Sequence, residues 1–550
     1  MQSTKSIDLL RHSTNFAFNG RNRLTRLFFT MEGFMKKMMV RGLLFSAAVL
    51  VNSSSAWAAE YLVKYRSAWG LQTFSTMGLQ VMDHHAPGNL IKVNVPEKSK
   101  VQTLLKLASN PNVEYVVPNA KVHAFEAPVE TQALQNQYAI AKVQAEKAWQ
   151  RAGNRGSKKV VVAVIDTGTD YRHKNLAPNM TPGFDFAGND SDPMDETSAQ
   201  NPGHGTHCAG IIGATGVVDG GTIGLSPEVT IMPLRFLDKN GSGDLNNGIK
   251  AIDYAIEKHV DVISASWGAA IPRSQAQPLI DAIERASKAG ITFVVAASND
   301  GKNNDTFEVY PAKAGLPNTI AVAASNSNDA KPSWSNYGRA TVSLASPGDA
   351  IVSTLPGDKY GNLSGTSMAT PLVAGLVALI KAQDPNLKPE EIRSLLQATG
   401  AKVGIQTACD CRIDAFNAVD TVLSKKMFVS PNAGTLAKGE KMTFTGVYGQ
   451  APFKFASSNT SVATIADNGE LTAVSEGETT VTVTDSAGQT ATSYKIYVGK
   501  PQSAPPQDPG NPGWPGDPGN PGNPGDCPLG DEMLCQIICQ IKPDLPFCTK

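Results

Sequence analysis

The sequence predicts an α/β protein: a parallel β-sheet with helices on both faces, preceded by a small α+β unit and followed by an all-β segment. Three observations predict it. First, residues 138–425 alternate short apolar runs (160–165, 229–233, 260–265, 291–296, 319–323) with helical patterns such as 247–258 and 278–289. Strands buried on both faces read as continuous apolar runs, and intervening helices make successive strands parallel. Second, residues 61–65 and 91–95 alternate apolar and polar side chains. Residues 101–107 repeat apolar residues at helical spacing, and 112–117 read as a third strand. Third, residues 427–499 hold short strands near 442–445, 453–455, 462–465, 479–484 and 494–498, separated by turn residues, the pattern of a small β-sandwich.

The pieces follow in order along 550 residues. That length implies several domains. Lys36, Lys37 and Arg41 precede a short apolar stretch over 42–51, and Ala56-Trp57-Ala58 is a small-x-small cleavage signature. Residues 35–58 therefore read as a secretory signal peptide, with Met35 as the start and 1–34 as a doubtful upstream extension. No Cys follows the apolar stretch, so a lipid anchor there is not indicated. The domain boundaries expected are 59–127, 128–425 and 427–499. A Pro/Gly-rich segment (500–526) with Pro-Gly at every third position reads as a semi-rigid linker, and a Cys-rich tail (527–550) holds four of the seven cysteines. Secretion permits disulfides, but sequence does not choose their pairing. Lys+Arg and Asp+Glu both number 49, which argues against a nucleic-acid partner. No apolar run is long enough for a transmembrane segment.

Three segments carry chemistry. The apolar run 160–165 ends in Asp166-Thr-Gly168; a carboxylate at a strand end can orient a His, although Asp-Thr-Gly also occurs in aspartic proteases. Gly203-His204-Gly205-Thr206-His207-Cys208 surrounds a His with small residues, suiting a general base that becomes an acid. His204 and His207 as metal ligands would need further ligands that no motif supplies, so no catalytic metal is expected. Ser364-Gly365-Thr366-Ser367-Met368-Ala369-Thr370-Pro371 precedes an apolar helix, placing Ser367 near a helix N-terminus, where it is either a nucleophile or a cap.

Together, Asp166-Thr-Gly, His204-Gly-Thr-His and Gly365-Thr-Ser367-Met-Ala-Thr-Pro resemble the three signatures of the subtilisin-like serine proteases, in that family's order. The resemblance covers about 138–425. It implies a subtilisin-like parallel sheet and a serine endopeptidase, with Ser367 as nucleophile, His204 as acid–base and Asp166 as its orienter. Ala297-Ser-Asn299-Asp-Gly301 resembles the family's oxyanion stretch, so Asn299 would stabilise the developing oxyanion beside the Ser367 N–H. Ser266, Trp267 and Gly268 resemble the strand that pairs with substrate backbone, which implies broad specificity towards proteins and peptides. Cys208 beside the second His resembles a thiol-containing subgroup. The stretch from Asp185 through Asp190 and Asp192 resembles a calcium-binding loop of thermitase-like members; with Asp195 these are the expected metal residues, calcium being the expected structural cofactor. Residues 59–127 resemble an inhibitor-type propeptide, an intramolecular inhibitor removed by self-cleavage between about 124 and 133. Residues 427–499 resemble bacterial immunoglobulin-like domains, which implies a surface ligand. A missing Gly-x-Ser-x-Gly elbow argues against an esterase, and an intact triad against an inert surface protein.

Overall fold

The computed structural model describes residues 59–66, 74, 79–125, 137–216 and 221–499. The signal segment, residues 1–34, most of the 126–137 connector, the Pro/Gly linker and the Cys-rich tail lie outside the described residues. Apart from the link Pro96–Lys98, the described residues from Ala59 to Gly499 belong to one compact unit.

The first part is an α+β unit. Strands β1 (Ala59–Tyr65), β2 (Gln80–His85), β3 (Leu90–Val95) and, after helix α1 (Lys100–Ala108), β4 (Val113–Pro118) form an antiparallel sheet of order β2-β3-β1-β4. Alternation in β1 sends Tyr61, Val63 and Tyr65 into a core with Leu104 and Leu107 of α1. Leu62 points to the opposite face and is equally buried, in the core of the larger domain. The sheet is thus covered on both sides. Strand β5 (Lys121–Ala124) leaves it and does not join it.

Helices α2 (Tyr138–Lys142) and α3 (Ala145–Ala152) open the larger domain. Its strands are β6 (Val161–Asp166), β7 (Phe184–Asp185), β8 (Thr230–Arg235), β10 (Val262–Ala265), β12 (Thr292–Ala296), β13 (Thr319–Ser325), β14 (Leu344–Pro347), β17 (Ala401–Lys402) and β18 (Cys411–Arg412). Their order is β17-β18-β14-β13-β12-β10-β6-β8-β7, and every neighbouring pair is parallel except β17/β18. All five sequence-predicted runs are strands of this sheet. Along β6, Val162 and Val164 face one buried cluster while Ala163 and Ile165 face the other. Helices α4 (His204–Gly213), α7 (Thr366–Gln383), α8 (Pro389–Thr399) and α9 (Ala415–Leu423) cover the first face; α5 (Leu245–Glu257) and α6 (Arg273–Lys288) cover the second. Short strands β9 (Ser242–Asp244) and β11 (Trp267–Gly268) stand apart from the main sheet, as does the hairpin β15 (Ile351–Leu355)/β16 (Lys359–Leu363). By length and composition α7 could cross a bilayer, but 89% of it is buried inside the fold.

Eleven short strands follow among the described residues, from β19 (Phe428–Ser430) through β22 (Thr445–Val447) and β27 (Val481–Thr484) to β29 (Ile496–Val498). They enclose a separate core of Val429, Leu436, Phe444, Leu471, Val481, Val483 and Ile496.

The first unit is tied to α5 and α6 by charge. Lys250 and Asn246 bind Asp83, His85 and Arg285 bind Asp253, and Lys64 and Tyr115 bind Asp281. Burial pushes these three carboxyls up, but the donors around them hold each below the usual carboxylate range. Carboxylates lowered in the native state stabilise it above their unfolded pKa of about 3.9, and that stabilisation fades as pH falls through the native values. Thermal unfolding of the Ser367→Ala chain should therefore lose midpoint steeply below about pH 4, and less steeply in Asp83→Asn, Asp253→Asn and Asp281→Asn. An unchanged acid slope in all three variants would rule these pairs out.

Candidate active site

Each functional side chain sits at the carboxyl end of a parallel strand or the N-terminus of a helix, where open α/β sheets hold their sites. Asp166 ends β6, His204 opens α4, Ser367 is the second residue of α7, and Asn299 lies just beyond β12. The structure pairs Asp166 with His204 and joins Ser367 with Asn299 on one carbonyl, that of Phe125, while the Ser367 hydroxyl makes no hydrogen bond to His204. His204 Nδ1 and Asp166 Oδ1 are 2.7 Å apart, and both side chains are buried. Asp166 Oδ1 also accepts the Thr167 N–H at 2.7 Å. Burial alone would lower His204, but Asp166, aided by Cys208, raises it well above the usual histidine range. The other ring nitrogen, Nε2, is buried and has no hydrogen-bond partner.

The Ser367 hydroxyl donates to the carbonyl oxygens of Phe125 and Ser266, the latter at 3.0 Å. Phe125 is the decisive residue here. Strand β5 lies antiparallel between β9 and β11, with Ala124 opposite Trp267 and Val122 opposite Gly243. Next along the chain, the Phe125 N–H donates to Ser266 O at 3.2 Å. Its carbonyl oxygen accepts Asn299 Nδ2 at 3.0 Å as well as the Ser367 hydroxyl. Asn299 is aimed by its own acceptor: Oδ1 takes the Thr366 N–H and hydroxyl, both at 2.9 Å, leaving Nδ2 for the cleft. The Phe125 ring lies on Gly268, where a Cβ would come within 2.6 Å of the ring. Trp267 is fully buried behind it, stacked edge-on against Phe236 at 4.7 Å.

Ser266 has a role that the sequence reading missed. In a helix the N–H of Pro371 would bond the carbonyl of Ser367, four residues back, but proline has none. That orphaned carbonyl accepts the Ser266 hydroxyl at 2.9 Å and the Cys208 thiol at 3.5 Å. Cys208 is free and buried, 4.0 Å from His204 Nδ1. The position of Pro371 was the signal that could have exposed the vacancy.

The four expected metal residues do not act together. Asp195 is buried beside the His–Asp pair, and both its oxygens are spent on Thr167 Oγ1 (2.8 Å), Thr206 Oγ1 (2.6 Å) and Thr206 N–H (2.9 Å). It belongs to the scaffold of the site, and burial pushes it up to about 6. Asp192 is exposed and accepts the Tyr171 hydroxyl. Asp185 and Asp190 do converge, their Oδ2 atoms 2.7 and 3.1 Å from the point where a Gly188 Cβ would stand. Burial raises Asp185 above the usual range, with Asp190 contributing, and Arg235 reaches it at 3.1 Å. Two carboxylates facing one point are the donor type of a hard cation such as calcium, but Asp185 already spends Oδ2 on Arg235 and Oδ1 on the Ala187 and Gly188 N–H groups, so a cation there would have to displace Arg235; Asp195 does not join them. Among the described residues, a tight trio of metal-capable side chains occurs at Asp166, His204 and Cys208, inside the site already described.

Comparison with known proteins agrees with this geometry. Residues 157–418 match the subtilase family and residues 424–496 the bacterial Ig-like domain (group 2). The chain is similar to a thermophilic serine proteinase of Bacillus sp. (strain AK1), 39% identical over 331 residues, covering 60% of this chain and 78% of that protein. It is 38% identical to thermitase of Thermoactinomyces vulgaris over 285 residues, 52% of this chain and 95% of thermitase. Subtilisin E of Bacillus subtilis (strain 168) is 36% identical over 300 residues, 54% of this chain and 73% of subtilisin E. With the parallel sheet and these matches, the chain belongs to the subtilase family of serine-type endopeptidases and carries a bacterial Ig-like domain behind its peptidase domain.

Proposed function

We propose that this chain is a secreted endopeptidase that first cuts itself, between Phe125 and Glu126. The observation that carries the reading is the Phe125 carbonyl, gripped by Asn299 Nδ2 and the Ser367 hydroxyl while its N–H binds Ser266. A backbone paired on both edges, with one carbonyl on a hydroxyl and an amide donor, is a substrate held for attack.

The chemistry follows from the atoms. Ser367 Oγ bonds to the Phe125 carbonyl carbon as its proton passes to His204 Nε2, the unpartnered nitrogen. Asp166 holds Nδ1–H and stabilises the imidazolium. The carbonyl oxygen becomes an oxyanion, bonded by Asn299 Nδ2 and the Ser367 N–H. Collapse breaks the C–N bond, and His204 returns the proton to the departing amine of Glu126. Water, activated by His204, then hydrolyses the acyl-enzyme. Released from the covalent link, residues 59–125 remain an inhibitor until they dissociate, and other proteins then enter the same cleft. The signal segment and the Ig-like domain support an extracellular or cell-surface setting. Calcium would be held by Asp185 and Asp190, with Asp192 on the same loop, in a structural role.

Wild-type protein should begin at Glu126 after maturation and hydrolyse casein, whereas Ser367→Ala should accumulate uncut and inactive. Amino-terminal sequencing of the first cleavage product decides: a start at any residue other than Glu126 would defeat the Phe125 assignment.

Asn299→Ala should lower kcat about 10²–10³-fold with KM nearly unchanged. That is a loss of about 2.7–4 kcal/mol, a range taken from the corresponding substitution in a subtilisin. A change confined to KM would remove Asn299 from the oxyanion role.

For calcium, chelation should lower the melting midpoint of Ser367→Ala, and Asp190→Asn should reduce that drop. A midpoint indifferent to chelator would dismiss the cation.

A further inference from the structure

A short linked domain is expected to move relative to its neighbour unless the interface between them is well packed and apolar. The Ig-like domain meets that exception. Only residues 424–427 separate α9 from β19. Phe428 of β19 and Val447 of β22 belong to the same buried cluster as Ile392 and Leu395 of α8 and Val422 of α9. Ser430 meets Ser394 of α8 in a buried hydroxyl pair at 3.0 Å.

Two tyrosines then reach past this apolar seam. Tyr448 donates to Asp384 Oδ2 at 2.9 Å, and Lys425 reaches the same oxygen at 2.7 Å. Asp384 is the residue immediately after α7, the helix that carries Ser367 at its other end. Tyr494 donates to Asp410 Oδ2 at 2.8 Å, and its ring lies under the Lys402 ammonium, 4.2 Å away. Asp410 stands between Cys409 and Cys411, which are bonded to each other, and it also pairs with Arg339. Its φ of 46° is left-handed, a conformation an Asp tolerates, within the loop between β17 and β18 at the sheet edge.

We propose that the Ig-like domain is a brace for the peptidase domain: by gripping Asp384 behind α7 and Asp410 at the sheet edge, it raises the temperature at which the peptidase domain unfolds. The apolar seam makes the two domains unfold together, and the tyrosine hydroxyls fix the two contact points. The short link keeps the domains at high effective concentration, so each contact costs little further ordering. This role requires no surface ligand and does not depend on catalysis.

Tryptophan fluorescence is blind to the Ig-like domain, because residues 427–499 contain no Trp; of the six in the chain, Trp149, Trp267 and Trp334 lie in the peptidase domain and Trp57, Trp69 and Trp514 lie outside both. The test uses the full Ser367→Ala chain, heated with fluorescence as the readout. Tyr448→Phe combined with Tyr494→Phe removes only the two hydroxyls and should lower the fluorescence midpoint by at least about 4 °C. Asp384→Asn combined with Asp410→Asn, made on the peptidase side, should lower it similarly. Lys441→Ala combined with Glu470→Ala breaks an ion pair within the Ig-like domain away from this seam and should leave it unchanged. Because Asp410 also pairs with Arg339 inside the peptidase domain, the tyrosine pair decides: an unmoved midpoint in Tyr448→Phe/Tyr494→Phe, or an equal fall in the Lys441/Glu470 control, overturns the proposal.

Discussion

A 2.7 Å hydrogen bond between two buried side chains, the Asp166 carboxylate and the His204 imidazole, sets the terms for the structure around it. A buried carboxylate is costly unless it is paired and hydrogen-bonded. Here the compensation comes from the fold. Strand β6 delivers Asp166 at its carboxyl end, and the helix α4 starts at His204. The approach is close: a Cβ on Gly205 would stand 2.1 Å from the Gly168 carbonyl oxygen and 3.1 Å from the Asp166 Cβ, so glycine is the residue that lets α4 meet β6. The Gly205 N–H donates to Thr167 Oγ1, Thr167 Oγ1 donates to Asp195, and Asp195 also takes both donors of Thr206. One buried carboxylate is thus used to hold the strand end and the helix start that present another.

The serine end of the site is built on a different constraint. Residues from Thr366 to Lys381 of α7 are all buried, which makes the helix the axis of the domain. Pro371 opens a gap in its hydrogen-bond ladder one turn after Ser367, and the gap is filled from other elements by Ser266 and Cys208. The carbonyl of the proposed nucleophile is therefore fastened to the link between β10 and β11 and to the helix that carries the proposed base. A shift of any of the three would be felt by the others, because Ser266 and Cys208 both donate to this one carbonyl and Cys208 also lies 4.0 Å from His204 Nδ1.

Much of this architecture was legible in the sequence, for physical reasons that also mark its limit. The five apolar runs of the parallel sheet were readable because strands covered on both faces carry no polar alternation. The strands β7, β17 and β18 are two residues long each and hold no period at all. Asp166, His204 and Ser367 left local traces, a carboxylate ending an apolar run and small residues around the His and before the helix, whereas Asn299 was reached only through the resemblance of 297–301 to the family's oxyanion stretch. Asp195 was not readable: five acidic residues within a dozen positions look alike as a sequence, and only burial separates the one bonded to Thr167 and Thr206 from the exposed Asp192. β5 was missed for a related reason. Lys121-Val-His-Ala is too short and polar to predict a strand, and it becomes one, with only Val122 buried, by pairing both edges with β9 and β11.

That borrowing explains how one short segment can be both substrate and inhibitor. Two-edged backbone pairing gives affinity that does not depend on side-chain identity, and the Phe125 ring on Gly268 adds apolar contact at a single position. On its own a tetrapeptide strand would exchange quickly, because ordering it costs conformational entropy with few contacts in return. Here it is tied to a folded unit whose sheet is buried against α5 and α6 through Leu62, Leu90 and Val117, and whose charges meet Asp253 and Asp281. Docking of that unit keeps the strand at high local concentration in the cleft, whether or not the bond after Phe125 is intact. In the inhibition proposed above, the hold would lie in the interface of the first unit rather than in the strand, and cutting the chain would weaken it only by removing the tether.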